Sequence, residues 1–501
     1  MARNPARLIL PTAFISIGLF ASCGQGGVGD ATNSNDSGAL TGDADSPNVV
    51  LFVIDTLRAD RLGIYGNANQ PSPNLDKFAR EGVLFERAWA PSPYTATSHA
   101  SLFTSTYPAT HGIWNRQRLE SKDGDVYPAL PPSAVTLAEV MRDSGWQTTA
   151  IAGGGYVNER RGLAQGFDYF NSQTLGVVNR IDHAIDWLNQ MRKVEKPFFM
   201  FLHTYEVHYP YLPDEEHINR FDSEYVGPLR DAVAAARIFV DEYMAKNPNK
   251  SPIGPAQKKF FKPIFDGNDF SDRDKEFVFA LYDAEISIVD EQFARFMVEL
   301  ERLGLADNTI IIITSDHGEE LWDHGYFGHH RVWDEVMHIP MLIKLPGHHG
   351  GVRRQDSIDL VDLMPSLLAE LGLDLPDCAV GKAVNFRRPP TEIEERIHVH
   401  QANWPQARQA WRKGDYKVHF FPDEELAPQS YDLSVDPNEL TNTANAAWIS
   451  AATSNLNDFW QRSDQLREDC GLFPVFHSLG SFTPEMREEL AGLGYIQDDE
   501  E

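Results

Sequence analysis

The chain is poor in cysteine, with three in 501 residues, and no two of them stand in a C-x-x-C spacing. That excludes a disulfide-built scaffold and a thiolate zinc or redox site. Basic residues are also scarce: 44 Lys and Arg face 73 Asp and Glu, a net charge of -29. A polyanion such as nucleic acid would be repelled, although a bound metal can still invert the local field for a small anionic substrate. Internal repeats and long apolar runs are missing too, and 42% hydrophobic residues fit a globular protein rather than a disordered or multi-span one. At this length the chain can bury a large core without a disulfide or a metal to hold it together.

The one notable apolar run is N-terminal. Arg3 and Arg7 precede "LILPTAFISIGLFA", which ends at "FASC". This is the pattern of an export signal. Small residues before Cys23 resemble a bacterial lipoprotein signal spanning 1–23, with cleavage before Cys23 and lipid on its sulfur. The other reading is an ordinary signal peptide cut near Ala21. On the lipoprotein reading, Gly24 suits the outer membrane of a Gram-negative cell envelope, periplasmic or surface. Residues 24–46 are rich in Gly, Ser, Asn and Asp and read as a flexible tether. Cys378 and Cys470 then remain, either paired or reduced.

Beyond the tether, apolar runs alternate with amphipathic stretches. "NVVLFVID" ends at Asp55, "TTAIAGGG" follows, "KPFFMFLHTYEVH" ends at His203 to His208, "NTIIIITSDHGE" ends at Asp316 and His317, and "HIPMLIKLPG" closes the series. Continuous rather than alternating apolarity suits strands of a parallel sheet buried on both faces. Helical patterns lie between them, as in "SPNLDKFAREG" and "KEFVFALYDAEISIVDEQFARFMVELERLG". The alternation predicts an α/β fold, a mostly parallel central sheet sandwiched by helices, over a catalytic domain at 47–390. In such sheets chemistry gathers beyond the carboxyl ends of the strands, where Asp55, His203, His208, Asp316 and His317 are all expected. Residues 214–275 read as an insertion over that edge, a candidate substrate lid. From 391 to 501 the pattern changes to a smaller antiparallel-sheet subdomain, with a terminal helix opened by Thr483 and Pro484.

Asp55 and Asp316 each close a buried strand. Either alone would read as a helix cap. Two buried carboxylates at one sheet edge repel each other, and with His317 adjacent a cation between them is the economical explanation. The stretch "PSPYTATSHASLFTS" places Thr95 at an apparent helix start, with Ser98 expected as the cap. A helix N-terminus offers N–H groups and a positive dipole end to an anion, and a metal can turn a Thr hydroxyl into a usable nucleophile.

"PNVVLFVIDTLRADRLGIYG", "TATSHASLFTSTYPATHG", "TSDHGEELWDHGYFGHH" and "YDLSVDPNELTN" together resemble the sulfatase family of the alkaline phosphatase superfamily, over roughly residues 47–450. The resemblance implies an alkaline-phosphatase-like fold and a divalent-metal site. It also exposes departures. The family's formylglycine-forming Cys or Ser corresponds to Thr95, the Pro two residues on to Thr97, and the Arg to His99. The second metal-binding Asp corresponds to Thr56, and "GGGYVNERRG" replaces a Lys and a His after the third strand.

A branch of the superfamily with metal-bound Thr nucleophiles fits these departures better. By resemblance to it, Asp55, Thr95, Asp316 and His317 would hold one divalent ion, Ca²⁺, Mn²⁺, Mg²⁺ or Zn²⁺. His208, matching the His before a Pro-Tyr pair, would protonate the leaving group. His329, at the position of a family cation, would contact the substrate oxyanion. His99 would help hold the transferred group, and Arg331 would act as an outer anion clamp. The expected substrate is a sulfate or phosphate ester on a glycan, lipid or cell-wall polymer. The alternatives are a sulfuric ester hydrolase working without formylglycine and a catalytically silent anion-binding protein. A second metal at His203, Glu206 and His208 is the minor reading of that corner.

Overall fold

The computed structural model describes residues 42–478, apart from position 44 and the segments 115–116, 119–124, 174–175, 248–251, 266–269, 349, 394 and 404–405. Cys23, the tether up to residue 41 and the terminal segment with Thr483 lie outside the described residues.

The strand Asn48–Ile54 runs through the middle of a nine-stranded sheet, parallel to Phe198–Thr204 on one side and Thr309–Thr314 on the other. All seven of its residues are buried, because both faces are covered. Val50, Phe52 and Ile54 enter one apolar layer with Phe78 and Phe293, while Val49, Leu51 and Val53 enter the opposite layer with Met141 and Leu367. That two-sided burial is why the strand reads as an unbroken apolar run. Gln147–Ile151 and Tyr169–Asn171 extend the sheet in parallel beyond Phe198–Thr204. The "HIPMLIKLPG" run departs from expectation: Met341–Lys344 pairs antiparallel with both Thr309–Thr314 and Val83–Trp89. The connection 315–337, with the short antiparallel pair Glu320–Leu321 and Phe327–Gly328 and the helix Asp334–Met337, returns the chain to the same edge. Val83–Trp89 and Val352–Asp359, parallel to each other, complete a mixed sheet.

The helices form where their signals stand. Pro73–Glu81 begins with Pro. Leu137–Asp143 has a Thr136–Glu139 capping box, and the 31-residue helix Asp272–Arg302 has a Ser271–Asp274 one. The 214–275 region is more regular than its Pro-rich sequence suggests, with helices Glu215–Phe221 and Pro228–Lys246. It is tied to the long helix by Arg220–Glu291 and Arg273–Asp222 pairs. Phe265 packs against Tyr209 and Phe327, with ring centroids 5.0 and 5.1 Å apart.

The C-terminal unit is a four-stranded antiparallel sheet, Ile397–Ala402, Arg408–Lys413, Tyr416–Phe420 and Gln429–Asp432 in that order, covered by helix Ala446–Asp469. Cys378 and Cys470 are joined in a disulfide across 92 residues, settling the pairing the sequence left open. Among the described residues, no helix is long and apolar enough to cross a membrane.

Candidate active site

The central strands deliver their polar ends to one point. Asp55 follows Ile54, and its N–H bonds Thr204 O at 3.0 Å. Asp316 and His317 follow the Thr309–Thr314 strand by two and three residues. Thr95 is the first residue of the ten-residue helix Thr95–Thr104, which has no side-chain cap. Ser98, expected as the cap, instead donates its hydroxyl to Ser92 O at 2.7 Å and braces the preceding loop.

Asp55, Asp316 and His317 bring ligand atoms within 4.8 Å of one another, all in buried side chains. Each carboxylate has one occupied oxygen and one unoccupied one. Asp55 Oδ2 lies 3.2 Å from His203 Nε2, and Oδ1 has no hydrogen-bond partner. Asp316 Oδ1 accepts from the N–H groups of His317 at 2.9 Å and Thr56 at 3.3 Å, whereas Oδ2 has none. His317 Nδ1 faces Gly318 O at 2.9 Å, so it carries the proton, and Nε2 is left as an orphaned lone pair. Burial, then the neighbouring Asp316, pushes the Asp55 carboxyl well above its ordinary range, while a hydrogen bond from Thr95 opposes the rise. Three orphaned donor atoms in a buried corner with two carboxyl groups fit a divalent cation.

The other histidines form a wall beside this corner. His208 Nδ1 bonds Tyr209 O at 2.6 Å, His329 Nδ1 bonds Pro93 O at 2.8 Å, and their Nε2 atoms meet at 3.2 Å. Burial lowers His208 to about 4. His329 also falls well below the usual imidazole range, through burial and then His317 and His208.

Two expected anion contacts take other positions. His99 is fully buried; its Nδ1 bonds Thr95 O at 2.8 Å and lies 3.6 Å from Asp316 Oδ2, and its Nε2 has no hydrogen-bond partner among the described residues. Arg331 has other partners: its Nη1 reaches His324 O at 3.4 Å and lies 3.9 Å from the fully buried Glu320. Glu206, considered for a second metal, receives Val177 N–H at 2.7 Å and the Thr204 hydroxyl at 3.1 Å instead.

Sequence reasoning left two contributors without a place. Thr56 holds φ +55, rare for a β-branched residue. From there its N–H serves Asp316 and its hydroxyl serves Val207 O at 2.8 Å. His330 adds a half-buried imidazole, next to Tyr94 and lowered by desolvation to about 4. The "FGHH" pair was its only signal.

Comparison with known proteins identifies the family. The sequence profile of the family described as Sulfatase matches residues 47–373, more than half of the chain, and that of the N-sulphoglucosamine sulphohydrolase C-terminal region matches 322–466. The chain therefore belongs to the sulfatase family. Among its relatives, the N-acetylglucosamine-6-O-sulfatase of Bacteroides thetaiotaomicron is 22% identical, covering 94% of this chain and 92% of that one. The arylsulfatase of Clostridium perfringens is 26% identical over 84% and 93%. The ulvan-active sulfatase of Formosa agariphila is 27% identical over 70% and 67%. Two solved structures share the fold. One, in complex with its substrate D-glucosamine-2-N,6-O-disulfate, has a TM-score of 0.65 at 20% identity, covering 85% of this chain and 98% of that one. The phosphonate monoester hydrolase of Agrobacterium radiobacter has a TM-score of 0.62 at 21% identity, covering 87% and 97%.

Proposed function

We propose that this protein is a metal-dependent ester hydrolase in which Thr95 is the nucleophile and the preferred bond is a phosphate ester. The observation that carries the reading is the place of Thr95: first residue of its helix, its hydroxyl against the Asp55 carboxylate, beside three orphaned metal-donor atoms. A divalent ion held by Asp55, Asp316, His317 and Thr95 would lower the hydroxyl pKa and neutralise charge on the ester. Thr95 Oγ then attacks phosphorus as its proton passes to the Asp55 carboxylate that the hydroxyl faces, the P–O bond to the leaving alcohol breaks, and that oxygen takes a proton. His208 is the proposed donor, with His329 beside it contacting the non-bridging oxygens. At rest His208 is neutral, so its proton enters with the anionic substrate, whose charge offsets the burial penalty. Water then cleaves the phosphothreonine and regenerates the hydroxyl.

A second reading, sulfate-ester hydrolysis, draws on the named activities of the relatives. Phosphorus is preferred because an unmodified Thr lacks the second geminal hydroxyl with which a formylglycine hydrate expels sulfate. The substrate class would be a phosphorylated or sulfated glycan or envelope polymer, the helices at 215–246 would border its path, and lipid on Cys23 would tether the enzyme to the cell envelope.

The test uses chelator-stripped protein resupplied with single cations and assayed on p-nitrophenyl phosphate, its bis-ester and p-nitrophenyl sulfate. Phosphate turnover that persists in Thr95→Ser and vanishes in Thr95→Ala supports the reading. Sulfate turnover alone transfers it to the second. Anion binding without any turnover points to a silent binding protein.

A further inference from the structure

His203 has been given no role so far, yet it fixes the orientation of Asp55. Its Nδ1 accepts the Gly153 N–H at 3.1 Å. A nitrogen that accepts carries no proton, so the neutral ring must hold its proton on Nε2. That Nε2–H points at Asp55 Oδ2, 3.2 Å away. His203 is therefore a donor to Asp55 and not itself a ligand, although its ring nitrogen lies within 4.8 Å of His99 and Asp316 donor atoms. Gly153 is required for this arrangement: a Cβ there would sit 2.8 Å from His203 Nδ1 and 2.5 Å from Tyr205 Cδ2.

Asp316 is restrained in the same sense, its Oδ1 held by two backbone N–H groups. Each carboxylate thus has one oxygen tied and one to offer, and the third donor is an imidazole whose Nε2 lone pair is fixed by the His317 Nδ1 bond to Gly318 O. Where a further carboxylate would stand, Thr56 spends its hydroxyl on the carbonyl oxygens of Val207 and Asp55, both at 2.8 Å. The donor set is few in number, mixed in nitrogen and oxygen, and unable to chelate through two oxygens of one carboxylate. Ca²⁺ takes six to eight oxygens, often bidentate, whereas Zn²⁺ accepts four nitrogen and oxygen donors.

We propose that this centre selects the imidazole-binding ion Zn²⁺ over Ca²⁺, and that His203 is the positioning residue that enforces this by holding Asp55 monodentate. The inference rests on the cation-dependent reading above. Full-length protein, stripped with chelator, is titrated calorimetrically with Zn²⁺, Mn²⁺ and Ca²⁺ separately, and Co²⁺ is added as a spectroscopic probe of coordination number. The expected result is Zn²⁺ binding about 100-fold tighter than Ca²⁺, and an intense, low-coordinate Co²⁺ spectrum. His203→Leu should weaken Zn²⁺ by about 10- to 100-fold and narrow its margin over Ca²⁺, while His203→Gln, which keeps an N–H donor, should restore most of both. Should His203→Leu not fold, Gly153→Ala tests the same contact by displacing the ring. Ca²⁺ binding as tightly as Zn²⁺ with Thr95-dependent turnover intact overturns this inference alone. His203→Leu that folds with unchanged affinity and selectivity overturns the positioning role. Binding of no cation overturns both this and the hydrolase mechanism.

Discussion

Two buried clusters of charge lie within this fold, and they are built in opposite ways. Where the C-terminal sheet meets the catalytic domain, Asp334 and Glu439 are closed by cations. Lys417 Nζ lies 2.7 Å from Asp334 and 2.9 Å from Glu439, Arg412 also bonds Asp334, and His419 adds a 2.9 Å contact to Glu439. Burial alone would raise the Asp334 carboxyl, but Arg412 and Lys417 pull it far below its usual range. At the strand ends, Asp55 and Asp316 have no Lys or Arg partner among the described residues, and the Asp55 carboxyl moves upward instead. A buried charge that the protein neutralises itself serves the fold, whereas one left open is poised for something that arrives from outside.

The largest expected difference comes from substituting one residue in each cluster. Asp316→Asn keeps the acceptor that holds Thr56 and His317 but removes the open anionic oxygen. Turnover should drop by a factor on the order of 10³ or more, with stoichiometric metal binding lost and the melting temperature of stripped protein nearly unchanged. Lys417→Met should do the reverse. It leaves the buried Glu439 and the half-buried Asp334 without their shared cation and costs about 3–5 kcal/mol of stability, read by denaturant unfolding, while activity of the remaining folded protein is retained at low temperature. If both variants lose stability equally and both keep metal, the contrast between the clusters fails.

A finer test uses pH. Because burial and Asp316 raise the Asp55 carboxyl, a proton competes with a cation for it at higher pH than at an ordinary carboxyl. Metal affinity should therefore weaken as pH falls through that raised value, approaching about tenfold per pH unit below it, and level off above it. Calorimetry in buffers of different ionisation enthalpy would register proton release on binding. Equal affinity at pH 5 and pH 8 would show that Asp55 is already ionised and that the corner is not open in the sense argued.

The open cluster was more legible in sequence than the closed one, and for a physical reason. Asp55, Asp316 and His317 stand at the ends of unbroken apolar runs, and a parallel sheet sends such ends to a common edge. Thr95 could be found because a Pro-rich loop precedes its helix. Lys417, Arg412 and Glu439 lie on half-polar strands and loops whose partners are distant in sequence, so nothing local marks them as joined. The roles of His203 and Thr56 were hidden for another reason. A tautomer depends on which backbone group the second ring nitrogen meets, and a positive φ depends on what the chain must reach. The antiparallel course of Met341–Lys344 was equally silent, since burial on both faces produces the same apolar run in either direction.

The smallest expected effect lies between the clusters, at Arg331. Glu320 is fully buried, and burial lifts its carboxyl to about 8, so at pH 7 it is mostly protonated. The Arg331 guanidinium, 3.9 Å away and one-third exposed at 34%, then has little charge to answer. Its contribution should be under about 1 kcal/mol at pH 7. The sign follows from the shift: a carboxyl whose folded pKa lies above its unfolded one favours the fold while protonated, and that advantage is lost as pH rises through about 8. Arg331→Met should therefore be nearly silent at pH 7 and destabilising at pH 9, in chemical denaturation at both values. Ester affinity should be unaffected at pH 7, because the side chain faces Glu320 and Tyr326 rather than the metal corner. A large rise in KM at pH 7 with unchanged stability would instead restore the anion-clamp role and place Arg331 with the open cluster.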